Sequence, residues 1–174
     1  MYAHLIPPTF RETVRQWIQE DIPTTDIGGF VVGEKIDTAH LLCKASKLYD
    51  QVTIAGIPFV DEVFKYFELD VTWLASDGDC VNTSANPKSI VAKVTGPCRK
   101  ILMAERVALN LLSRASGIAT KTKKMCDIAK NAGWRGSVAG DIDALFYFLF
   151  TYPKFIHIVI FSRYQKDHSR LSLN

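Results

Sequence analysis

AERVALNLLSRASGIAT, residues 104–120, is the stretch on which the fold turns. At 3.6 residues per turn, Val107, Ala108, Leu111, Leu112 and Ala115 gather on one side as an apolar face. Arg106, Asn110, Ser113 and Gly117 follow one another at steps of four, three and four, forming a polar stripe that ends at a residue without a side chain. Arg114 stands beside Asn110, one turn on. A guanidinium at Arg106 can grip a carboxylate or phosphate with two parallel N–H donors, which a lysine cannot match. It can equally serve a structural ion pair with Glu105 or a neighbouring acid, and the spacing leaves both readings open.

The helical pattern around this stretch runs over residues 99–131, with a kink or break expected near Gly117. Gly133 ends it, and RGSVAG (135–140) has the look of a short buried strand entering a turn. Helix, glycine, strand is the opening of an α/β unit. Upstream, residues 9–20 (TFRETVRQWIQE) predict a helix whose Thr9 and Glu12 fit a capping box, with Phe10, Val14, Trp17 and Ile18 on one face. EDIPTTDIGGF reads as a loop, punctuated by Pro23 and the Gly28–Gly29 pair. HLLCK (40–44), DVTWLA (70–75) and SIVAKVTG (89–96) read as strands, and Ile54–Ala55 as part of a fourth. PFVDEVFKYF (58–67) reads as a helix, Pro58 being preset for its first turn and Val60, Val63, Phe64 and Phe67 giving it an apolar face. Strands mixed with helices, without a βαβ rhythm, predict an α+β fold: an antiparallel sheet covered by helices.

Hydrophobic residues make up 48% of the 174 and charged residues 22%, a globular profile with room for one domain and part of another. Charge is unevenly placed: residues 1–92 carry a net −6, residues 93–135 a net +8 and residues 136–174 a net +1. The basic block could attract phosphates, although a solvated helix face explains it as well. A nucleic-acid partner is not expected. Cys43, Cys80, Cys98 and Cys126 show no CxxC or Cys/His metal spacing, and MYAHLIPPTFRE lacks the basic start and apolar core of a secretory signal. Free thiols in the cytoplasm are the simplest expectation.

The tail differs from the rest. All ten glycines lie at or before Gly140, while eight of the 19 aromatics fall in residues 141–174, so the two parts do not share a composition. Residues 144–161 form an apolar-leaning run, but Pro153, Lys154 and His157 sit near its middle. A central lysine costs roughly 2.5–3.5 kcal/mol on insertion scales, and no membrane span is expected. The tail is read instead as a hydrophobic helix followed by a strand, or as lacking stable structure.

AERVALNLLSRASGIAT closely resembles the ERxALNxLxxxSGIAT segment of quinolinate phosphoribosyltransferases, the carboxylating nicotinate-nucleotide pyrophosphorylases. WIQEDIPTTDIGG, AGIPFVDEVF, VTWLASDGD, VAKVTGP and GWRGSVAG match the family pattern in order, best in its fungal and animal branch, and together cover residues 2–140. The resemblance implies an N-terminal α/β sandwich over residues 1–98, the first helices and strand of an α/β barrel over 99–140, and a non-family tail over 141–174. It implies the reaction of quinolinate with phosphoribosyl pyrophosphate to nicotinate mononucleotide, carbon dioxide and pyrophosphate, in de novo NAD biosynthesis. Mg²⁺ is expected with the pyrophosphate group, its ligands outside this chain. A homodimer or higher oligomer is implied, in which the arginine at position 106 reaches into the neighbouring subunit's site and holds the substrate dianion. The apolar face of 101–120 is then expected to dock the barrel.

Two departures stand out. CKASKLYDQVTIAGIPF is longer than the family pattern needs between its lysine and its AG, placing an insertion near Lys47–Val52 that lengthens a turn or disturbs a strand register. After VAG the family continues T-R-K-T-T-P-G, whereas this chain has Asp141, Ile142, Asp143 and Ala144. Acids thus stand where two site cations are expected, no catalytic residue is identifiable, and His157 and His168 gain no role from proximity in sequence. The chain is therefore expected to be incomplete for catalysis, and the alternative function is a non-catalytic module that pairs with a full-length subunit.

Overall fold

The computed structural model describes residues 6–24, 27–44, 50–83, 88–134 and 159–163. Four helices and six strands run in the order α1 (Phe10–Asp21), α2 (Ile27–Val32), β1 (Ile36–Lys44), β2 (Gln51–Thr53), α3 (Ile57–Tyr66), β3 (Asp70–Trp73), β4 (Cys80–Asn82), β5 (Lys88–Pro97), α4 (Cys98–Asn131) and β6 (Val159–Arg163). A four-stranded antiparallel sheet has the order β3-β5-β1-β6, and β2 pairs with β4 in a separate antiparallel ribbon. The expected α+β class and antiparallel sheet are therefore observed.

The sheet is built on β1 and β5. Along β1, Ala39, Leu41 and Cys43 alternate inward, the period-two pattern of a half-buried strand. Along β5 the alternation breaks at Val91 and Ala92, both buried. The cause is a bulge: Leu41 pairs with Ala92 and Leu42 with Ile90, so Val91 is an extra residue that also turns inward. Pairing continues to Lys44↔Lys88, so the β1–β5 register reaches the edge of the inserted region. Residues 45–49 lie outside the described residues, and Gln51 and Val52 at the end of the insertion form part of β2.

The helices close one face of this sheet. Val14 and Ile18 of α1, Val60, Val63 and Phe64 of α3, and Ile101, Ala104, Val107, Ala108, Leu111 and Leu112 of α4 join the inward residues of β1 and β5 in one core. Burying a side chain such as Phe64 fully contributes about 1.5–3 kcal/mol, so this face outweighs any local preference. The apolar face of 101–120 is thus spent within its own domain, which corrects the expectation that it is a docking surface for a barrel. The exposed large apolar residues of α4 and its C-terminal end are instead Met125, Ile128 and Trp134.

Other local expectations also change. No capping box forms: Thr9 already has helical φ/ψ (−69°, −10°), so its hydroxyl is not aimed at the first turn. The Thr9 carbonyl accepts the N–H groups of Glu12 and Thr13 instead. Gly28 and Gly29 lie inside the short helix α2, where a loop was expected. Gly117 does not break α4, because it is buried in a helix whose neighbours on both sides are anchored in the core. RGSVAG and most of the tail lie outside the described residues, while Val159–Arg163 pairs antiparallel with Ala39–Cys43 of β1. Among the described residues no helix is long and apolar enough to cross a membrane.

Candidate functional site

Helix α4 carries the candidate residues, and its start is fixed from a distance. The N–H of Cys98 donates to the Lys35 carbonyl (2.8 Å) and that of Arg99 to the Gly33 carbonyl (3.3 Å), satisfying two of the donors a helix leaves open at its N-terminus. Arg99 also pairs with Glu34 through Nη2 and Nε (2.6 and 2.7 Å). Lys100 pairs with Glu68, whose carboxyl is held below its ordinary value by that hydrogen bond and charge.

Four to six turns further on, α4 is stitched to the segment 53–56. Thr120 Oγ1 accepts the N–H of Thr53 (2.9 Å), and Ser116 Oγ accepts the N–H of Ala55 (3.0 Å) and lies 3.3 Å from the Ala55 carbonyl as donor. The Thr120 hydroxyl itself donates to the Ser116 carbonyl (2.7 Å). Gly56 has φ +95° and packs so tightly that an added Cβ would stand 2.8 Å from the Ala115 Cβ. The N–H of Ile57, first residue of α3, donates to Asp77 Oδ1 (3.0 Å). Burial raises the Asp77 carboxyl above its ordinary value, opposed in part by the N–H groups of Ile57 and Gly56. The SGIAT and AGIP segments are therefore two halves of one structural clamp.

The proposed polar stripe divides accordingly. Ser113 is buried and its hydroxyl donates back to the Leu109 carbonyl (2.6 Å), and Gly117 is buried too. Neither belongs to an exposed site, so the stripe over 106, 110, 113 and 117 is accessible only in its first half. The reason is that one helix face is open to solvent at Arg106 and Asn110 and covered by other elements at Ser113 and Gly117. Arg106 and Asn110 remain exposed, with Arg114 partly buried. The Arg106 side chain is 74% exposed and places Nη1 3.3 Å from Asp21 Oδ1, at the C-terminal residue of α1. Asp21 is 85 residues away in sequence, so no local spacing could have named it.

Two clefts flank α4. One of about 510 Å³ lies between the start of α3 and the later turns of α4, lined by Gly56, Phe59, Asp77, Ala115, Cys126 and Lys130 among others. The other, about 330 Å³, is lined by residues including Asp50, Thr53, Thr120, Lys123 and Lys124. Arg106 lines neither and points to the outer surface. Among the described residues no group of three or more His, Cys, Asp or Glu side chains is placed to hold a metal ion. The four cysteines are free thiols, and burial pushes Cys43 up to about 11.

Residues 21–116, which include Asp21, the inward-facing Ser116 and Arg106, match the family described as quinolinate phosphoribosyl transferase, N-terminal domain. The chain belongs to the quinolinate phosphoribosyltransferase family. Its relatives include the carboxylating nicotinate-nucleotide pyrophosphorylases of Dictyostelium discoideum, 35% identical over 76% of this chain and 47% of the relative, and of Homo sapiens, 37% identical over 79% and 44%. The nicotinate-nucleotide pyrophosphorylase of Francisella tularensis superposes with a TM-score of 0.63 at 28% identity, over 72% of this chain and 43% of the other. The chain thus spans about half the length of the quinolinate phosphoribosyltransferase relatives it matches. The α+β architecture described here corresponds to their N-terminal part.

Proposed function

We propose that this chain serves the quinolinate phosphoribosyltransferase reaction, converting quinolinate and phosphoribosyl pyrophosphate to nicotinate mononucleotide, carbon dioxide and pyrophosphate, by presenting Arg106 to a substrate pocket on a neighbouring subunit. The observation that carries this reading is the placement of Arg106 within the family-matched segment, exposed and outside the two clefts that flank α4 among the described residues. Quinolinate bears two adjacent carboxylates. A planar guanidinium meets one of them with two parallel N–H···O bonds, and its fixed positive charge offsets the charge of a dianion in a site shielded from water. The same charge stabilises the electron density released as the ring carboxylate leaves.

Arg106 supplies one part of such a pocket. The acids Asp141 and Asp143 follow VAG where the family motif carries cations, so in this reading the remaining cationic groups come from the partner subunit. The chain then acts as a docking module in a mixed dimer with a full-length subunit, in the cytoplasm. In this reading Mg²⁺ enters bound to the pyrophosphate of the substrate. The test uses a full-length quinolinate phosphoribosyltransferase whose own matching arginine is replaced by alanine. Adding the present chain is expected to restore nicotinate mononucleotide formation, and adding its Arg106→Ala variant is not. Co-sedimentation of the two chains without any restored turnover would refute the assignment of Arg106.

A further inference from the structure

The partner of Arg106 leads one step further. Asp21 is the last residue of α1, a helix end where the backbone dipole disfavours a carboxylate, and the last turn of α1 contains no basic residue to offset it. The compensating charge arrives from another helix, as Arg106 Nη1 at 3.3 Å from Asp21 Oδ1. The two members differ in freedom. The Asp21 side chain is 22% exposed and short, while that of Arg106 is long and 74% exposed. One end of the pair is therefore anchored and the other is an arm.

The geometry of the contact is selective. It occupies Nη1 alone, and among the described residues the Arg106 side chain has no second polar partner. Nε and Nη2, the donors on the remaining edges of the guanidinium, stay available for a carboxylate. A surface pair of this kind adds about as much stability as a carboxylate at a helix C-terminus costs, so the pair leaves little net gain. What it does supply is orientation: a flexible arginine loses less freedom on binding if its plane is already held.

We propose that Asp21 is a positioning residue for Arg106, holding the guanidinium at Nη1 so that its other donors face an incoming dicarboxylate. This rests on the reading of Arg106 as a substrate arginine. The experiment is the mixed assembly described above, with substitutions at Asp21 of the present chain. Asp21→Ala is expected to raise KM for quinolinate about tenfold, a change of about 1.4 kcal/mol, with kcat and KM for phosphoribosyl pyrophosphate altered less than about twofold. Asp21→Glu, which keeps the carboxylate, is expected to recover most of the loss. Circular dichroism and co-sedimentation confirm that each variant folds and docks, and for a variant that does not, the Arg106 Nη1–H resonance of the chain carrying Asp21→Asn is read instead. In the wild-type chain that proton is expected to exchange with water more slowly than in Asp21→Asn.

If the wild-type chain restores turnover and Asp21→Ala gives an unchanged KM for quinolinate, the positioning role is overturned while the role of Arg106 stands. If the wild-type chain docks and restores nothing, the reading of Arg106 itself fails and takes this inference with it. Equal exchange of the Arg106 Nη1–H in wild type and Asp21→Asn would also overturn the positioning role.

Discussion

The two ends of one helical motif, residues 104–120, face opposite environments. At the far end Ser116, Gly117 and Thr120 are buried, and the two hydroxyls hold the backbone of Thr53 and Ala55. At the near end Arg106 and Asn110 are exposed, and Arg106 pairs with the Asp21 carboxylate at the rim. A run of polar residues inside an apolar helix is thus two devices. One replaces backbone hydrogen bonds that a three-residue strand cannot provide for itself, and the other projects a charge that the fold does not need.

That comparison can be broken by substitution. The largest effect is expected at Gly56, where alanine would both occupy a left-handed φ and collide with Ala115. Strain of about 1–2 kcal/mol and overpacking of about 1–3 kcal/mol predict that Gly56→Ala destabilises by roughly 2–4 kcal/mol in urea unfolding. A loss below about 0.5 kcal/mol would mean that α4 and the 53–56 segment are not tightly joined. Next comes Thr120→Val, which keeps the shape and removes the acceptor for the Thr53 N–H. Leaving that donor unpaired is expected to cost about 1–3 kcal/mol, and hydrogen exchange at the Thr53 amide should quicken more than at the amides of β1.

Much of the frame was legible beforehand because it rests on periodicity. β1, β5, α1, α3 and α4 each repeat their apolar residues at the spacing their geometry requires, and each was found at or near the expected positions. Features held by tertiary contact were not legible. Strand β4 is three residues long with only Val81 partly buried, too short to show an alternation. Helix α2 contains two glycines, whose local preference argues for a loop and is overruled by packing against α4. The burial of Ser113 and Gly117 is not legible in the spacing, because they share a helix face with Arg106 and Asn110 and only tertiary neighbours decide which part of that face is covered.

The candidate site was half legible. Arg106 emerged from its spacing and from the motif around it, but spacing alone could not separate an ion-pair role from an anion-binding one. Asp21 was invisible, since a contact between the ends of two helices 85 residues apart leaves no mark on either local pattern. The clamp was hidden for a related reason: Ser and Thr in a helix interior commonly satisfy themselves on the preceding turn, and only the fold shows that Ser116 and Thr120 also reach a strand.

The smallest stability effect is expected where the functional claim is strongest. Urea unfolding of the Arg106→Ala chain measures directly whether that arginine belongs to the scaffold. An exposed pair at 3.3 Å predicts a change within about 0.5 kcal/mol of wild type, leaving the residue free for a role outside its own fold. A loss of about 2 kcal/mol or more would contradict the account, placing Arg106 with Ser116 and Thr120 among the residues that hold the domain together.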